Sequence, residues 1–198
     1  MAYPIQCRCG KLQGSLERAA GAQRCICYCA DCQAFAHYLG RDAEILDAAG
    51  GTDIVQTLPK YLTFTAGTEH LACMRLTPNG LLRWYAACCN TPIGNTSANA
   101  KLSFVGLIHN CLAGERGALD EAFGPVRMRV NTKHAKGPLK PKAMGLLAGI
   151  ARSLAMLLKA RCDGSYQHTP FFLPGSNTPI AAPRVLSSEE LRAVRPAR

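Results

Sequence analysis

The stretch "RCICYCADCQAF", residues 24–35, places Cys25, Cys27, Cys29 and Cys32 within eight positions. Residues 25–29 alternate Cys with Ile and Tyr. Alternate side chains of a strand share a face, so a regular strand points Cys25, Cys27 and Cys29 one way and Tyr28 the other. Cys32 then falls on the turn that follows. Thiols packed together without a partner are open to oxidation, so the cluster calls for an explanation. Two shorter motifs join it: Cys7-Arg8-Cys9-Gly10, and Cys88-Cys89-Asn90.

The chain has eleven cysteines, an odd number that leaves one outside any fully paired disulfide scheme. The start, "MAYPIQCRCG", lacks the basic-then-apolar order of a secretory leader. Together these favour a reducing, cytoplasmic setting and thiolates held by metal over a disulfide framework. Cys111 and Cys162 stand alone and read as small apolar residues. The clusters instead have the short ligand spacing, on turns, that zinc sites use.

With 198 residues and 48% hydrophobic composition, the chain is long and apolar enough to build a core, which excludes a disordered protein. The apolar run at 143–158 is shorter than the roughly 20 residues that span a bilayer, and Arg152 interrupts it. The formal net charge is +10, and residues 127–161 hold nine Lys or Arg and no Asp or Glu. Such a segment suits nucleic acid, an acidic membrane surface, or a solvated basic face.

Most of the chain reads as strands. "CRCG" is a tight turn with Gly10 at positive φ, and "KLQGSLER" begins a strand beyond it. "DCQAFAHYLGRDAEILDAAGG" holds helical structure that ends near Gly50 and Gly51. "TDIVQTLPKYLTFTAG" reads as two strands broken at Pro59, with Asp53 in a turn. "HLACMRLTPNGLLRWYAACCN" is a hairpin turning at "TPNG", and "LSFVGLIH" is a further strand. Residues 133–142 form a basic linker. A helix over 141–160 follows, with Leu146, Leu147, Ile150, Leu154, Leu157 and Leu158 at helical spacing. An apolar face of this kind calls for burial, so capping a nearby sheet is the expected role, with docking on a membrane surface as the alternative. Ser187 and Glu190 make a capping box for a short last helix.

The order of the motifs resembles that of the glutathione-dependent formaldehyde-activating enzymes, a superfamily that includes centromere protein V. "CRCG" at 7–10, "CYCADC" at 27–32 and "CCNTPI" at 88–93 carry the resemblance, with Gly67 of "FTAG" ahead of the hairpin. It covers roughly residues 4–135. The resemblance implies a mainly β fold, a β-tent of antiparallel sheets with two zinc ions, spanning residues 1–135. Residues 136–198 then form the basic linker and a C-terminal helical extension. It also implies a structural zinc on Cys7, Cys9 and Cys89, and a second zinc on Cys27, Cys29 and Cys32. The chain departs from the pattern at Ala86, where the family has a ligand cysteine, and at Asn90, where it has glycine. A fourth ligand for the structural site is then needed. Cys88 ranks first, with Cys73 across the hairpin and Cys25 as alternatives.

A three-thiolate zinc leaves one coordination position open, the mark of catalytic rather than structural zinc. A thiol bound there would lose its proton, which suits making or breaking a carbon–sulfur bond. The resemblance implies the same class, a carbon–sulfur lyase acting on a small-molecule adduct of glutathione and formaldehyde. His37, His70 and Asp31 are the titratable residues near the motifs. Two other roles stay open: a non-catalytic scaffold, if Cys25 closes the second zinc site, and a nucleic-acid module using residues 127–161.

Overall fold

The computed structural model describes residues 2–17, 21–112, 116–137, 139 and 143–196. Apolar alternation in short segments builds two sheets. The smaller is antiparallel, with β1 (Tyr3–Gln6), β2 (Gln13–Leu16) and β5 (Leu62–Ala66) in that order. The larger contains β3 (Gln23–Cys27), β4 (Thr52–Thr57), β6 (Leu71–Arg75), β7 (Leu82–Ala86), β8 (Thr91–Thr96), β9 (Val105–Ile108), β10 (Met128–Val130) and β11 (Arg184–Val185). Its order is β10-β3-β4-β9-β8-β7-β6-β11. The interior pairs are antiparallel, whereas β10 on β3 and β11 on β6 are parallel, so the sheet is mixed rather than purely antiparallel.

Both faces of the large sheet are covered, so its central strands β8 and β9 are buried along their whole length. Cys73, Trp84 and Leu107 face one core, shared with Ile5, Leu12 and Leu16 of the small sheet. Met74 and Ile108, next along β6 and β9, face the other way. There they meet α1 (Ala30–Tyr38), α2 (Asp42–Ile45) and the segment around α5 (Ser188–Val194) through Phe35, Leu39, Ile45 and Leu186. The C-terminal residues join the same body. Phe171 packs on Trp84 at 4.9 Å between ring centroids and on Phe64 at 5.8 Å.

Several elements match the reading of the sequence. The hairpin β6–β7 turns at Thr77–Gly80, closed by the Gly80 N–H on the Thr77 carbonyl at 3.0 Å. Pro59 sits in a 3-10 turn between β4 and β5. The Ser187–Glu190 capping box is formed in both directions. Others differ. The helical segment after Cys32 stops at Tyr38 and resumes only for α2, well short of Gly50, because Gly40 takes φ +63° and breaks it. Asp53 lies inside β4 and pairs with the buried Arg24, which also engages Asp120. α3 (Arg116–Phe123) and β8, whose residues are all buried, were not anticipated.

The long helix α4 (Ala143–Cys162) also departs from expectation. Leu147, Ile150, Leu154 and Leu158 are exposed, so the leucine-rich face does not cap a sheet. Instead the small-residue side turns inward. A Cβ on Gly149 would fall 1.9 Å from the Met128 sulfur, and the Gln23 amide donates to the Gly149 carbonyl and to Ser153. No branched side chain fits that approach, which leaves the leucines outward. The Leu146 side chain lies outside the described set.

Gly67, with φ +72°, brings the loop before β6 against the "CRCG" turn; a Cβ there would sit 2.1 Å from the Lys11 carbonyl oxygen. Gly175 has φ +70° but nothing within 4 Å. Replacing Gly175 with Ala should therefore cost only the backbone term, ~1 kcal/mol. Gly67→Ala adds a backbone clash and should cost at least ~3 kcal/mol in urea denaturation. Equal losses would contradict the close approach.

Candidate metal centres

The first centre joins two turns. Cys7 and Cys9 sit on the turn after β1, closed by the Gly10 N–H on the Cys7 carbonyl at 2.9 Å, with Gly10 at φ +76°. Cys88 and Cys89 follow β7, on a turn closed by the Cys89 N–H on the Ala86 carbonyl at 3.2 Å. Adjacent side chains diverge on an extended chain but can converge on such a turn. The Cys88 sulfur lies 3.3 Å from that of Cys9, 3.8 Å from Cys7 and 3.9 Å from Cys89. Four sulfurs placed tetrahedrally about 2.3 Å from zinc stand about 3.8 Å apart, so these spacings fit a thiolate-bound ion.

All four sulfurs lie within 4.8 Å of one another. Cys73 is not among them: it points into the core opposite Trp84, where burial pushes its thiol up to about 12. The departure at Asn90 is absorbed locally. It takes φ +54°, a left-handed conformation that Asn tolerates better than most residues. Its side-chain amide donates to the Leu39 carbonyl at 3.3 Å.

Electrostatics divides the four thiols. Burial works against a Cys89 thiolate. Donation from the Thr91 hydroxyl, 3.1 Å away, and from the Cys9 and Thr91 backbone nevertheless brings it down to about 6. Burial and the neighbouring thiols push Cys88 up. A bound metal ion would favour the thiolate form across the set.

The second centre forms where β3 ends and α1 begins. Cys27 is the last strand residue, and Cys29 is the N-cap of α1, its sulfur accepting from the Cys32 N–H at 3.3 Å. Cys32 is therefore in the first helical turn rather than on a loop, and Cys29 is outside the strand. The three sulfurs lie within 4.8 Å of one another. Hydrogen bonds from Cys29 and Cys32 hold the Cys27 thiol far below its ordinary value, whereas Cys32 is pushed well up.

Cys25 shares the strand face with Cys27 but stays outside this trio. It is buried in one cluster with Cys27, Cys32, Ile54 and Met128, and burial pushes its thiol up to about 12. Tyr28 is buried on the opposite face, its hydroxyl donating to Asp47 at 3.1 Å. His37 reaches the Val194 carbonyl at 2.8 Å and so holds the C-terminal segment; His70 lies beside Glu69. Asp31 stands 3.9 Å from both Arg83 and Arg195.

Two neighbours of the trio escaped the sequence reading. The Asn131 amide donates to the Cys27 sulfur at 3.5 Å, because β10 pairs in parallel with Val130 opposite Cys27. The alternation of "VRMRV", residues 126–130, was the signal for that strand. The buried Arg83, on β7, favours the charged form of Cys32. A cleft of 650 Å³ is lined by Ala30 and Gln33, the chain neighbours of Cys29 and Cys32, with Lys133, His134, Lys136 and Arg195 among others; none of the three cysteines lines it.

Residues 1–181 match the model of a family described as a family of unknown function, DUF6151. A crystal structure of a Rhodobacter sphaeroides protein is 19% identical, aligned over 62% of this chain and 96% of that one, with a TM-score of 0.40. No curated protein matches the chain.

Metal analysis after purification with zinc should find two ions per chain, one for each cluster. Cys9→Ser and Cys32→Ser should each lose or strongly weaken one ion, and the double variant both. Cys25→Ser should keep two. Loss of an ion from Cys25→Ser would contradict the placement of Cys25 outside the trio.

Proposed function

We propose that this chain, which belongs to the family of unknown function DUF6151, is a two-zinc protein related to the glutathione-dependent formaldehyde-activating superfamily. On this reading its sheets are a variant of the β-tent. The centre of Cys7, Cys9, Cys88 and Cys89 closes one zinc with four thiolates and holds two turns together. The centre of Cys27, Cys29 and Cys32 holds the other, and acts on thiol–aldehyde adducts as a carbon–sulfur lyase would. One observation carries this reading: the first cluster gathers four sulfur donors and the second only three among the described residues.

When bound to three thiolates, zinc supplies a site that stabilises a fourth, incoming thiolate and is a poor Lewis acid towards water. The protein's own residues do the rest. Asn131 and the helix amide on Cys29 donate to ligand sulfurs, which orients them and tempers their charge. Arg83 and Arg195 flank Asp31 at the start of α1. Lys133, Lys136 and Arg195 make the adjacent cleft cationic, which suits the carboxylates of a thiol such as glutathione. In the forward direction the thiol sulfur bonds to the aldehyde carbon and its proton passes to the carbonyl oxygen. The reverse breaks the same carbon–sulfur bond and returns the thiol.

The scaffold alternative needs Cys25 as a fourth ligand; Cys25 packs in the same buried cluster as Cys27 and Cys32, but its sulfur lies outside the three that gather within 4.8 Å. The lyase reading predicts that the zinc-loaded protein speeds exchange between glutathione, formaldehyde and their hemithioacetal, followed by magnetisation-transfer NMR. Cys32→Ser should abolish that effect, while Lys133→Gln with Lys136→Gln should raise the KM for glutathione several-fold with little change in kcat. An exchange rate equal to that of the uncatalysed mixture would refute it.

A further inference from the structure

α4 presents an apolar surface to solvent along its length. Leu147, Leu158, Leu154 and Ile150 are 75, 64, 55 and 47% exposed. They recur at i, i+3, i+7 and i+11, and exposed Ala151 and Ala155 fill the stripe between them. The opposite side of the helix is committed to the protein through Gly149, Ser153 and the buried Ala160. The stripe therefore cannot turn inward without undocking the helix from β10.

The charge beside the stripe has one sign. Arg152 and Lys159 are exposed along one flank of it. Arg127 approaches from the loop before β10, and Arg127, Arg152, Gln23, Ala148 and Gly149 line a cleft of 230 Å³. No acidic residue occurs between 127 and 161. Of the carboxylates nearest in sequence, Asp120 engages Arg24 and Asp163 engages Lys60, and Glu121 is exposed on α3. A leucine stripe beside a two-arginine cleft fits a surface that is apolar beneath and anionic at its edge. A second copy of the chain would bring these cations against one another. A nucleic acid would leave the leucines in water.

We propose that α4 docks this protein on an anionic lipid bilayer. The helix lies in the plane of the interface with Leu147, Ile150, Leu154 and Leu158 at the acyl boundary, while Arg127, Arg152 and Lys159 engage lipid phosphates. It rests on the surface rather than crossing: among the described residues no helix is long and apolar enough to span a membrane.

The test is co-sedimentation of the full-length, zinc-loaded protein with vesicles of phosphatidylcholine alone or mixed with phosphatidylglycerol, alongside light scattering without lipid. The anionic vesicles should bind at least about tenfold more tightly, with the advantage shrinking as salt rises. Leu154→Asp with Leu158→Asp should abolish binding yet leave the melting temperature unchanged, since both side chains are exposed. Arg127→Gln with Arg152→Gln should reduce the preference for anionic lipid about tenfold. The proposal is overturned if the protein stays in the supernatant, or if the aspartate variant binds as well as the wild type. A dimer in solution that the aspartate variant dissociates would also overturn it, assigning the stripe to a second copy.

Discussion

The hydrogen bond from the Cys32 amide to the Cys29 sulfur caps α1 two residues beyond the end of β3, where strand gives way to helix. Much else around the second centre depends on that junction. β3 is fixed between β4 and β10, so Cys27 cannot move along the sheet. Helix α1 is fixed by Phe35 and Leu39 in the core beneath the large sheet. With both partners immobile, the short connection has little freedom, and three sulfurs meet where strand becomes helix. The helix N-terminus also favours negative charge there.

The other centre solves a different problem. It links the "CRCG" turn of the small sheet to the turn after β7 of the large one, so four sulfurs bridge the two layers. Between the same layers, Trp84 and Phe171 fill the core, and the Trp84 indole N–H donates to Thr96. A closed, four-sulfur cluster at a seam suits stabilisation. The three-sulfur cluster sits instead at the start of α1, whose Ala30 and Gln33 line a cleft with Lys133, Lys136 and Arg195. The contrast comes from where each set of cysteines sits, since all of the ligands are of one chemical type.

Local signals in the sequence were the legible ones. The hairpin, the Pro59 break and the Ser187 capping box each depend on residues close in sequence, and each was readable. Motif order put Cys89 with Cys7 and Cys9, whereas Cys88 only ranked ahead of Cys73 and Cys25 as the fourth sulfur, and the fold gathers Cys88 with the other three. What escaped depends on distant partners. β10 is three residues long and is stabilised by parallel pairing with β3, about a hundred positions earlier, so Asn131 could not be placed beside Cys27. Asp53 looked like a turn residue because its partner, Arg24, lies on another strand. For α4, periodicity located the helix correctly but not which side it buries. The Met128 sulfur against Gly149 decided that, and no pattern within the helix encodes it.

On the proposed reading four thiolates close one centre and three hold the ion of the other. Cadmium NMR of the full-length protein with both centres loaded tests it most directly, because the metal resonance reports the number of sulfur ligands. Two resonances are expected, one in the four-sulfur range and one shifted towards mixed coordination, with glutathione moving only the second. Two four-sulfur resonances without added thiol, one of them lost in Cys25→Ser, would contradict it.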